Sequence, residues 1–178
     1  MRTGSTGALV LFVVDASASM RPAMESAKGV VLELLKDAYQ HRDEVAFVAF
    51  AGQDAGVVLP PTDSVTRAAR HLKELPSGDR TPLPAGLRTA TEVLERADPD
   101  PGLVVLVTDG RANVAGESPV GETREAARRL GGASDHVLVV DAGDPDAAGL
   151  TDQVVAATDG ERVPLAALSA DRLDAAVE

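Results

Sequence analysis

Leu11-Phe12-Val13-Val14-Asp15-Ala16-Ser17-Ala18-Ser19-Met20 is the stretch whose reading decides the fold. Its apolar half does not alternate with polar residues. It therefore reads as a strand buried on both faces, as in a parallel sheet covered by helices on each side. Asp15 stands where that strand leaves the core. In open α/β sheets ligands bind outside the carboxyl ends of the strands. One carboxylate followed by two hydroxyls at two-residue spacing offers oxygen donors only, which suit a hard cation such as Mg2+.

Downstream of this stretch the chain alternates between helical and strand patterns. Met24, Ala27, Val30, Val31, Leu34, Leu35 and Ala38 keep a 3.6-residue period, so residues 23–39 are expected to be an amphipathic helix. Glu44–Phe50 reads as a second buried strand. Gly52-Gln53-Asp54 is a tight turn into a short third strand, Gly56–Leu59, and a turn this short joins only antiparallel neighbours. Helices are expected at 65–75 and 84–96, a strand at Leu103–Thr108, and a helix at Glu122–Leu130. His136–Asp141 reads as another buried strand, followed by helix, short strand and helix at 147–158, 161–165 and 169–177. The alternation predicts an α/β fold: a doubly wound, mostly parallel sheet with one antiparallel edge strand and helices on both faces. The 178 residues read as one domain, with residues 1–7 a flexible or appended leader.

Composition narrows the function classes. Aromatic residues make up 2% of the chain, so Val, Leu and Ala must fill the core. The absence of cysteine excludes disulfides and thiolate metal sites and fits a cytoplasmic protein. Residues 1–97 carry 12 acidic and 11 basic side chains and residues 98–178 carry 16 and 6, so the second half holds −10 of the net −11. That balance argues against a nucleic-acid surface, which needs a positive field. It reads as a solvated acidic surface, with a docking face for a basic partner as the sharper alternative. Arg2, Ala8–Val14 and Ala16-Ser17-Ala18 imitate a secretory signal, but Asp15 interrupts the apolar run and cleavage would delete the first strand. No run reaches the about 20 apolar residues of a membrane helix.

Asp109 follows the apolar run Leu103–Thr108 as Asp15 follows the first strand. If the two strands are neighbours, both carboxylates lie on one rim. Ser17 and Ser19 come from the loop after the first strand, and Thr81 from the loop Pro76–Leu83 ahead of a helix. Three loops thus bring five oxygen-bearing side chains to one rim. Each could instead cap a helix, and the combination is more specific than any member.

Asp15-x-Ser17-x-Ser19, the later Thr81, and Thr108-Asp109-Gly110 resemble the metal-ion-dependent adhesion site of von Willebrand factor A domains. The closer resemblance is to the A-type domain at the C-terminus of the D subunit of magnesium chelatase and related cobaltochelatases. It is carried by Leu11–Met20, Ala27–Leu35, Asp37–Gln40, Arg42–Val45, Leu59–Thr62, Leu75-Pro76, Thr81–Leu83 and Val107–Arg111, and covers residues 4–112. Two departures stand out. Ala18 replaces the usual Gly, and Asp79-Arg80 precede Thr81 where the family is often Gly-rich.

The resemblance implies a non-catalytic binding module. Ser17 and Ser19 would bind Mg2+ (or Mn2+) directly, Thr81 directly or through water, and Asp15 and Asp109 directly or through bridging water. A partner's carboxylate would complete the site, with Asp79, Arg80 and Arg111 as neighbouring partner contacts. The implied partners are an AAA+ ATPase chelatase subunit and the large porphyrin-binding subunit. The D subunits of that family carry an AAA+-like region and a linker ahead of this domain.

Rival readings are an A-type adaptor in another assembly and a Mg2+-dependent phosphatase-like enzyme. For the latter the Asp-x-Asp signature is missing, because Ser17 takes its second place. No lysine follows Lys73, which disfavours a receiver domain, and no phosphate-binding Gly-rich motif follows the first strand. His41, His71 and His136 have no ligand spacing and read as surface or strand-edge residues. Asp141, Asp144 and Asp146 read as a solvated turn, since no bidentate Glu follows as in a calcium loop.

Overall fold

The computed structural model describes residues 8–15, 21–40, 43–51, 54–62, 66–67, 70, 83–97, 101–108, 119–142 and 150–164. Within these residues the elements run β1 (Leu9–Asp15), α1 (Arg21–Gln40), β2 (Glu44–Ala51), β3 (Asp54–Thr62), α2 (Leu83–Ala97), β4 (Gly102–Thr108), α3 (Pro119–Ala133), β5 (His136–Asp141), α4 (Leu150–Thr158) and β6 (Glu161–Pro164). Most of the helix expected at 65–75 and all of that at 169–177 lie outside the described residues.

The six strands form one sheet in the order β3-β2-β1-β4-β5-β6. β1 pairs in parallel with β2 on one side and β4 on the other, and β4–β5 and β5–β6 are parallel as well. β3 pairs antiparallel with β2 at the edge. The chain builds outward from β1 through β2 and β3, then returns to place β4 on its other side. The order reverses between β1 and β4, which is where open α/β sheets bind ligands.

Alternation along each strand divides the core into two layers. Val10, Phe12, Val14, Phe47, Val105, Val107 and Val140 pack under Ala27, Val31, Leu34, Leu35 and Ala38 of α1. Leu9, Leu11, Val13, Val48, Leu106 and Val139 face the other way. There they meet Leu83, Leu87, Ala90 and Leu94 of α2, Ala126, Ala127 and Leu130 of α3, and Val154 of α4. Every residue of β1 and β4 is buried, which is why neither sequence alternates. Two of the chain's three phenylalanines, Phe12 and Phe47, stack across neighbouring strands with centroids 5.3 Å apart. The start of the sheet is closed by carboxylates: Asp43 accepts the Ala8 N–H and Asp135 accepts that of Gly102, each at 2.7 Å.

β3 and α3 run well past the sequence expectation. β3 runs to Thr62 and so includes Pro60 and Pro61. The edge position leaves one side of the strand without a ladder to donate to. The register also shifts between Val45↔Thr62 and Phe47↔Leu59, so the two prolines face a bulge instead of a regular ladder. α3 begins at Pro119, where a missing N–H costs nothing, and continues through Gly131-Gly132. At Gly131 a Cβ would stand 3.0 Å from the Thr158 Cα, so this glycine permits close approach of α4 and does not end the helix. α4 is described over Leu150–Thr158, and residues 147–149 of the expected helix lie outside the described residues.

The end of α4 is a Schellman-type stop. Asp159 takes the left-handed conformation, with φ 55°, and the Gly160 N–H bonds back to the Val155 carbonyl at 3.1 Å. A Cβ on Gly160 would fall 2.5 Å from the Val137 carbonyl oxygen. On α3, the Thr123 hydroxyl is buried with no hydrogen-bond partner. No helix among the described residues is long and apolar enough to cross a membrane.

Gly160→Ala should therefore destabilise the fold by about 1–3 kcal/mol, because the clash is with backbone that cannot yield. Thr123→Val should gain up to about 1 kcal/mol by removing an unsatisfied buried hydroxyl. Urea unfolding of both variants beside the wild type measures each.

Candidate metal site at the sheet rim

At the carboxyl ends of the strands the register sets one row of residues. Asp15 pairs with Phe50 of β2, Val14 with Val107 of β4, Thr108 with Asp141 of β5, and Asp141 with Pro164 of β6. Asp15 shares the parity of Leu11 and Val13, Thr108 that of Leu106, and Asp141 that of Val139. All three polar residues therefore project on the side of the sheet that α2, α3 and α4 cover. Asp15 and Thr108 have no exposed surface. The Thr108 hydroxyl donates to Asp15 Oδ2 at 2.8 Å, which joins β1 to β4 at the point where the strand order reverses.

Thr108 is held from the other side as well. Its carbonyl accepts the Ala142 N–H at 3.0 Å, just past the end of β5. One step along the row, Asp141 is met by a cation. Arg162 of β6 donates to Asp141 Oδ2 through Nε at 2.8 Å and also through Nη2. Its remaining branch, Nη1, reaches Asp152 Oδ1 at 3.3 Å in the first turn of α4. A carboxylate there also favours the positive end of the helix dipole. Arg124 of α3 donates to Gln153 of α4 at 2.8 Å, which links those two helices at the surface.

Of the five predicted ligands, Asp15 lies among the described residues, at the rim position expected for it. Ser17, Ser19, Thr81 and Asp109 lie outside them, as do Asp79, Arg80 and Arg111. Among the described residues no group of three or more His, Cys, Asp or Glu side chains is arranged to hold a metal ion. The donors that the sequence offers here, carboxylates and hydroxyls, fit a hard divalent cation.

The reading of Asp141 as part of a solvated turn is corrected. It is the last residue of β5, it is buried, and it is ion-paired with Arg162. His136 is exposed at the start of β5, as a strand-edge residue should be. Sequence reasoning assigned no role to Thr108 or Arg162. A signal for Thr108 existed, because it is the one polar residue in the run Leu103–Thr108.

Two depressions lie at the opposite end of the sheet from Asp15. One, of about 660 Å3, runs between α2 and α3 and is lined by Leu94, Glu95 and Arg129 among others. The other, of about 210 Å3, lies where α3 and α4 end, beside His136 and Gly160. Neither shares a residue with the rim.

Residues 10–111 match the family described as von Willebrand factor type A domain. An uncharacterized protein of Mycobacterium tuberculosis is 44% identical over 149 residues, which cover 79% of this chain and 23% of that protein. The magnesium-chelatase 67 kDa subunit of Chlorobaculum parvum is 46% identical over 114 residues, covering 61% of this chain and 18% of that subunit. The chain thus spans less than a quarter of the length of either relative. Among solved structures, a von Willebrand factor type A protein from Catenulispora acidiphila superposes with a TM-score of 0.74 at 20% identity. The match covers 96% of this chain and 42% of that one, and the likeness concerns the fold alone.

Arg162→Met should cost about 2–3 kcal/mol, because it leaves the buried Asp141 carboxylate without its cation. Asp152→Asn removes only the longer, more exposed contact and should stay within about 0.5 kcal/mol of wild type. Chemical denaturation of the two variants separates the buried arm of the bridge from the exposed one.

Proposed function

Because this chain belongs to the von Willebrand factor type A domain family, we propose that it is a metal-ion-dependent protein-interaction domain of a magnesium or cobalt chelatase D-type subunit. The observation that carries this reading is the position of Asp15. It is a fully buried carboxylate at the end of the central strand, where the strand order reverses, held by a neutral hydroxyl. The similarity to subunits named for magnesium chelatase supplies the assembly.

In this reading residues 1–178 form one A-type domain in the cytoplasm. Asp15, Ser17, Ser19, Thr81 and Asp109 would hold Mg2+, or Mn2+ in its place. Bound there, the cation would supply an open coordination position for an acidic side chain of another protein. Hydroxyl ligands are neutral, so two carboxylates leave little charge against which an incoming carboxylate must work. The partners would be the AAA+ ATPase subunit and the large porphyrin-binding subunit, approached beside Asp79, Arg80 and Arg111. The domain itself would catalyse nothing, and the ion it holds would be distinct from the ion the parent enzyme inserts.

A second reading, an A-type adaptor in another assembly, draws on the relative from Mycobacterium tuberculosis. That protein matches more of this chain than the chelatase subunit does, and its name carries no chelatase role.

The wild-type chain should bind Mn2+ weakly by calorimetry, and the Asp15→Ala/Asp109→Ala variant should not. Equal binding by both, or none by wild type, would sink the metal reading. The purified chain should turn over no ATP, so metal-dependent hydrolysis that survives further purification would overturn the non-catalytic assignment. Metal-dependent co-sedimentation with a chelatase AAA+ subunit favours the chelatase over the generic adaptor.

A further inference from the structure

We draw no further inference here: the strongest candidate, the groove of about 660 Å3 between α2 and α3 at the end of the sheet away from Asp15, carries charges of both signs on its walls, Glu95 and Arg129, and nothing in the structure shows what covers it.

Discussion

The structure depends on the burial of β1 on both faces. β1 is also interior in the sheet, with no solvent edge. Its backbone donors and acceptors must be taken up by strands on both sides, here β2 and β4. Both faces must also be covered, by α1 on one and by α2, α3 and α4 on the other. Those two demands fix the doubly wound order, and the order puts its own reversal at the end of β1. Asp15 is the residue found there. Its place at the switch point is thus a consequence of the apolar run before it.

The fold was legible because its signals are periodic and strong. Runs such as Leu103–Val107 have no polar break, and α1 holds its apolar stripe over about four turns. The boundaries that moved are those where a local breaker is overruled by tertiary placement. Pro60 and Pro61 look like a strand end until the strand is known to be an edge with a bulge. Gly131 looks like a helix end until α4 is seen to pack across it. In both cases the residue is read correctly as small or donor-free, and its use depends on a neighbour distant in sequence.

The site was legible only in part, for a related reason. Asp15 announces itself by ending an apolar run. Asp141 ends a similar run, yet its fate is set by Arg162, 21 residues later. Nothing local distinguishes a carboxylate that will be matched by a guanidinium from one that will be held by a hydroxyl. The distinction needs the β1–β4 and β5–β6 registers, which bring Thr108 beside Asp15 and Arg162 beside Asp141. Sequence spacing within a loop can suggest ligands. Partners that reach across strands become visible only once the strand order is known.

The row of residues at the carboxyl ends therefore has an electrostatic gradient written into its pairing. On the β5–β6 side, Asp141 and Asp152 share one guanidinium, and the pairing ties the first turn of α4 to the sheet. That side is partly neutralised within the chain and braced by charge. On the β1–β4 side the brace is a neutral hydrogen bond between two fully buried groups. The two braces also differ in reach: the hydrogen bond ties the neighbouring strands β1 and β4, while the guanidinium ties β6 to β5 and to the first turn of α4.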